Sequence, residues 1–178
     1  MALTAEEKIQ LAEGLKQAGD DAFRTNDVQT ALRKYHESLL YLNGLDKSAL
    51  PVSLGGGDEL PNEDGDKPKG KVNELLDKIY SNQSACYIKK KNWKRAIEAA
   101  DKALSKNKDN HKALFRRAKA NGEMGFLEKA TKLFEELREK STDDNEKNLI
   151  DQELNRMQLE DARRRKQVDS SLRGFLNK

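Results

Sequence analysis

Apolar and small residues recur along this chain at helical spacing, in pairs of runs separated by short polar breaks. From Thr4, the positions Ile9, Leu11, Ala12, Leu15, Ala18, Gly19, Ala22 and Phe23 recur at helical spacing. Thr4 is the expected N-cap, with Glu7 as its capping-box partner. The run breaks at Thr25-Asn26-Asp27 and resumes through Val28, Ala31, Leu32, Tyr35, Leu39 and Leu42. Gly19, Phe23, Ala31 and Tyr35 follow a small–large–small–large order. A small residue at a helix crossing lets two helices approach, and the ring fills the space beside it. A second pair of runs covers Val72 to Lys91 and Trp93 to Lys106, with its turn at Asn92. The third runs from an Asn110 N-cap to Met124, turns at Gly125, and continues from Leu127 to about Lys140. Ala96 and Ala130 hold the same place in successive hairpins, 34 residues apart. That period marks a helix–turn–helix unit stacked on copies of itself.

Repeat one starts near Ala12 and repeat two near Asp77, 65 residues later. The surplus falls on 44–70, which holds all three prolines and six acids against three lysines, and carries no period. A mobile acidic loop is expected there, inserted within one domain spanning 1–178. The expected divisions are repeat one at about 5–43, repeat two at 71–107 and repeat three at 110–141. After Ser141-Thr142-Asp143-Asp144, a long helix over 143–175 is expected to cover the open end of the stack. Its stripe of Leu149, Ile150, Leu154, Met157 and Ala162 thins beyond Leu159, and an apolar tip follows at Leu172, Phe175 and Leu176. Trp93, the only tryptophan, is expected in the core.

Composition supports a thin array. Charged residues make up 37% and apolar ones 35%, as suits a solenoid whose outer faces stay wet. The net charge of +3 is close to balance, which argues against general nucleic-acid affinity. The run Arg163–Lys166 follows Glu160-Asp161 and reads as a solvated helix end rather than an RNA or membrane patch. A lone cysteine, Cys86, permits no internal disulfide and points to a reducing compartment. The opening MALTAEEKIQLAEGLK mixes charges with apolar residues, unlike a signal peptide or a membrane span. A cytoplasmic or nucleocytoplasmic location is expected. His36 and His111 lie on different repeats without ligand-spaced partners, and Gly55-Gly56-Gly57 lacks the Lys-Ser/Thr of a phosphate loop. No metal, cofactor or enzymatic activity is expected.

The polar residues on the first helix of each repeat carry the functional signal. Lys16 and Asp20 fall at the fifth and ninth positions of repeat one, and Asn82 at the sixth of repeat two. Lys112 and Arg116 stand at the second and sixth of repeat three. Each i, i+4 pair shares one helix face. A single Lys or Arg on such a helix is ordinarily just solvated. Register-matched cations across three stacked helices instead line one groove. Such a groove suits a terminal carboxylate and a neighbouring acid, since Arg grips carboxylates with paired hydrogen bonds while Lys acts as a point charge.

With the strings LKQAGD, YSNQSACY and HKALFRR, the chain resembles carboxylate-clamp tetratricopeptide repeat (TPR) co-chaperones. YLNGLDKSALP and the closing LRGFL are similar to the stand-alone tetratricopeptide repeat protein 9 group. They are similar also to the TPR halves of the aryl-hydrocarbon-receptor-interacting protein and of large immunophilins. The resemblance implies an all-α fold: three TPR repeats in a short right-handed solenoid, plus a C-terminal capping helix. It implies a non-enzymatic adaptor that binds the Glu-Glu-Val-Asp tails of 70- or 90-kDa heat-shock chaperones. Lys16, Asn82, Lys112 and Arg116 match the clamp, with Phe23 and Phe115 as candidate apolar contacts. Asp20 stands where the family has Asn, and an acid there opposes a bound carboxylate by about 4 kcal/mol at 4 Å and an effective dielectric of 20. The alternative is a scaffold for a different protein partner, such as a client held by the C-terminal helix, with the clamp impaired by Asp20. No prolyl-isomerase domain accompanies the repeats in this sequence, so that activity is not implied.

Overall fold

The computed structural model describes residues 3–43, 45 and 67–176, and the side chains of all these except 67–69 and 174–176. Its elements are α1 (Ala5–Arg24), α2 (Val28–Leu42), α3 (Lys67–Lys89), α4 (Trp93–Lys106), α5 (His111–Glu123), α6 (Leu127–Lys140) and α7 (Asp144–Leu176). There is no strand among the described residues.

Polar caps decide where most of these helices begin. Thr4 Oγ1 accepts from the Glu7 N–H at 3.2 Å, and the Glu7 carboxylate accepts from the Thr4 N–H at 2.8 Å. These bonds hold the Glu7 carboxyl below its ordinary pKa. Asp27, Asn92 and Asn110 cap α2, α4 and α5 by accepting from the N–H three residues on. Phe126 makes no side-chain cap for α6. Each hairpin turn instead shares one backbone device. A left-handed residue stands two positions before the second helix: Asn26 (φ 67°), Lys91 (φ 54°) and Gly125 (φ 87°). These three positions repeat the 65- and 34-residue spacing of the small residues, so the turns and the crossings keep one register.

Within each hairpin the crossing is close. Ala31, Ala96 and Ala130 are wholly buried. A Cβ placed on Gly19 would lie 2.6 Å from Tyr35 Cε1, so only glycine lets the buried Tyr35 ring pack against α1. Ser38 Oγ donates to the Ala12 carbonyl at 2.7 Å and Ser84 Oγ to that of Ala96 at 2.8 Å, tying α2 to α1 and α3 to α4. Between hairpins, α1 touches α3, α3 touches α5 and α5 touches α7. The first helix of each repeat therefore forms an inner layer, and α7 takes the next place in it.

Buried Asp77 fixes the entry to α5. It accepts from Asn107 Nδ2 at 3.1 Å and from Asn110 Nδ2, while Asn110 Oδ1 caps the helix. Ile150 and Met157 of α7 are buried against α5 and α6 around Phe134. Ion pairs of Lys119 with Glu153 and Arg156 with Glu123 reinforce that seam, as does the contact of His111 Nδ1 with the Glu146 carboxylate. Beyond Leu159 the described side chains are almost all exposed, and Leu159, Val168 and Leu172 stand open to solvent.

Two expectations change. The acidic loop was expected to reach residue 70, yet α3 begins at Lys67. Proline's missing N–H costs nothing in a first helical turn, so Pro68 does not delay the helix. The rest of that loop, Gly44 and 46–66, lies outside the described residues. Trp93 is only partly buried and joins neither core cluster. As the first residue of α4 it sits beside the turn.

Candidate functional site

The inner layer encloses an open groove of ≈ 610 Å³ between the C-terminal half of α3, the exposed face of α5 and the start of α7. Phe23, Ala85, Ile88, Phe115 and Leu149 form an apolar floor. Phe115 is held edge-on to Phe134, with ring centroids 5.3 Å apart, so the core fixes its position. Around this floor stand Lys89, Lys112, Arg116, Lys119 and His111, and on the α7 side Asp143 and Glu146.

Lys112 and Arg116, one turn apart on α5, both enter this cavity, together with Phe23 and Phe115. Arg116 donates from Nη1 to the Ser81 carbonyl at 2.6 Å and to Ser81 Oγ at 2.7 Å. Both acceptors are neutral, and no carboxylate among the described residues pairs with it. Burial lowers the pKa of this guanidinium, the signature of a cation with part of its hydration stripped away. Lys112 is exposed and has no ion-pair partner among the described residues. Lys89 lies 4.0 Å from the centre of the Phe23 ring and 3.1 Å from Asn26 Oδ1, again without a carboxylate. By contrast Lys119 is paired with Glu153, and His111 Nδ1 lies 2.8 Å from the Glu146 carboxylate.

Lys16 and Asn82 do not line that cavity. They converge on Asp20. Lys16 Nζ lies 2.6 Å from Asp20 Oδ2, while Asn82 Nδ2 and the Tyr35 hydroxyl donate to Oδ1 at 2.8 and 2.7 Å. Burial, and then the bond to this carboxylate, raise the pKa of the Tyr35 phenol, which stays protonated as a donor. The two halves meet at Ser81-Asn82, where one residue anchors Arg116 and the next anchors Asp20. Cys86 lies buried behind them, its thiol pushed up to about 12 by burial. Among the described residues no group of three metal-ligating side chains forms, and no helix is long and apolar enough to cross a membrane.

Reading the sequence missed Lys89 and Ser81. Lys89 sits among three consecutive lysines, which look solvated, and only the approach of Phe23 from α1 singles it out.

Stacked hairpins with a charged inner groove define the architecture of TPR domains, and solved structures agree. The chain superposes on the C-terminal TPR-containing domain of a Plasmodium falciparum FK506-binding protein with a TM-score of 0.69. Identity is 26%, over 91% of this chain and 97% of that one. It superposes also on the Saccharomyces cerevisiae Hsp90 co-chaperone Cns1 with a TM-score of 0.61 at 20% identity, over 93% of this chain and 46% of that one. In sequence it is 27% identical to the Arabidopsis thaliana peptidyl-prolyl cis-trans isomerase FKBP42 over 142 residues. That match covers 80% of this chain and 35% of the relative. The chain spans only 10% to 35% of the curated relatives it matches. No protein-family model matches it. The fold is that of a TPR domain.

Proposed function

We propose that this chain is a non-enzymatic co-chaperone or adaptor whose groove binds the acidic, Glu-Glu-Val-Asp-type tail of a heat-shock chaperone. One observation carries the reading: Lys89, Lys112 and Arg116 surround an apolar floor, and none has a carboxylate partner among the described residues. A partly desolvated guanidinium facing only neutral acceptors gains most from an arriving carboxylate. Lys112 and Arg116 are the cationic grip, and Phe23 and Phe115 receive the tail's apolar side chain. Lys16, Asn82 and Asp20 form the polar end of the site. The name of the co-chaperone Cns1 among the structural neighbours supports the same direction. Affinity is expected to be micromolar, about −8 kcal/mol, and to fall with salt. Calorimetric titration of a tail peptide into wild type and Lys112→Ala tests it.

A second reading has its own support. Leu159, Val168 and Leu172 are more than half exposed along α7, so this helix is a candidate surface for a different protein partner. Under it, deleting 160–178 abolishes partner capture and groove substitutions do not. Either way the location fits a cytoplasmic or nucleocytoplasmic protein.

A further inference from the structure

We infer that the groove reads acidic side chains within a peptide and does not require a free terminal carboxylate, because Asp20 already occupies the donors that would hold one. This rests on the proposal that the groove binds acidic segments, and it narrows the ligand class.

The carboxylate of Asp20 takes a donor from each of three elements: Lys16 of α1, Tyr35 of α2 and Asn82 of α3. The Lys16–Asp20 pair is four-fifths buried on both sides, each side chain being 19% exposed, and neutral as a unit. A ligand carboxylate arriving there meets a like charge and displaces nothing loosely held. It would have to strip Asn82 and Lys16 from a carboxylate that belongs to the fold, leaving Asp20 short of partners.

The other end of the groove has the opposite character. Arg116 spends Nη1 on Ser81, and among the described residues nothing accepts from its other N–H groups. Lys112 and Lys89 line the same cavity, Lys89 with its ammonium 4.0 Å from the centre of the Phe23 ring. These cations lie on α3 and α5, whereas Glu146 lies on α7 and Asp143 just before it. A bound segment is therefore oriented with its acids toward α3 and α5 and an apolar residue on the floor. Nothing in this arrangement depends on the chain ending there, and the groove is open rather than closed at a wall.

Three related peptides test this by calorimetry: one ending in Glu-Glu-Val-Asp as the free acid, its C-terminal amide, and the amide with its acids changed to Gln and Asn. For wild type, the acid and the amide are expected to bind within about twofold of each other, and the neutral peptide about tenfold or more weaker. Asp20→Asn keeps an acceptor for Tyr35 and frees Lys16, so it is expected to favour the acid over the amide by about tenfold. A wild type that loses about tenfold on amidation overturns the inference and leaves the proposed function standing. Equal binding of acid and amide to Asp20→Asn overturns Asp20 as the determinant. If none of the three peptides binds wild type, the proposed function and this inference fall together. The wild-type comparison needs no variant to fold.

Discussion

The ammonium of Lys16 lies 2.6 Å from the Asp20 carboxylate, one helical turn along α1. That pairing answers the acid at the ninth position of repeat one. It is held inside the fold by Lys16, by the Tyr35 hydroxyl of the same hairpin, and by Asn82 of the next repeat. A residue that opposes a ligand's charge thus joins three inner and outer helices.

Asp20→Ala removes an acceptor from three donors at once. Hydrogen bonds to charged groups contribute about 1.5–3 kcal/mol each, and strandings of neighbouring donors are not additive. A loss of about 2–4 kcal/mol is expected, read as a lower denaturant midpoint. Asp20→Asn, which keeps an acceptor, is expected to lose less than half of this while tightening binding of a free-acid tail. An alanine variant as stable as wild type removes Asp20 as a linchpin.

Gly19→Ala tests the crossing beneath it. The new methyl would sit 2.6 Å from Tyr35 Cε1, so the ring or the helix must move. Overpacking of this kind costs about 1–3 kcal/mol. Because Tyr35 also holds Asp20, the same change is expected to shift the Asn82 side-chain amide resonances by NMR. Gly14→Ala, where a methyl meets open space, is expected to be neutral or stabilising.

His36 gives the protein a pH dependence away from the groove. His36 is exposed, yet partial desolvation, reinforced by the cations Arg95 and Lys102, lowers its pKa in the fold below the ordinary 6.5, and its Nδ1 lies 3.3 Å from Gln83 Nε2. The unfolded chain then binds more protons than the native one between the folded value and 6.5. Stability is fully present above pH 6.5 and declines as pH falls through that window. His36→Gln is expected to flatten this slope in urea titrations between about pH 5 and 7. An unchanged slope would assign it to another group.

Much of the fold was legible because its determinants are local. Ala31, Ala96 and Ala130 keep one register, and Thr4 and Asn110 are caps that a short window reveals. Glycine and proline before Val72 hid the start of α3, since both lower helix propensity without forbidding a first turn. The groove was legible only by position. Repeat register brings Lys112 and Arg116 to one face, but the hydrogen bonds that hold the Arg116 guanidinium go to Ser81, 35 residues away. Arg116 finding Ser81, Lys89 finding Phe23 and Asp20 finding Asn82 are choices of rotamer across helices. No periodicity encodes them. The start of α7 as a groove wall, through Glu146 and Leu149, is likewise a matter of packing angle.

The most direct measurement is a calorimetric titration of a Glu-Glu-Val-Asp-ended peptide at low and high salt. Wild type is expected to bind with micromolar affinity that weakens as salt rises, and Lys112→Ala to lose about tenfold or more with its thermal midpoint unchanged. Equal binding by Lys112→Ala and wild type, or no binding by wild type, would contradict the account.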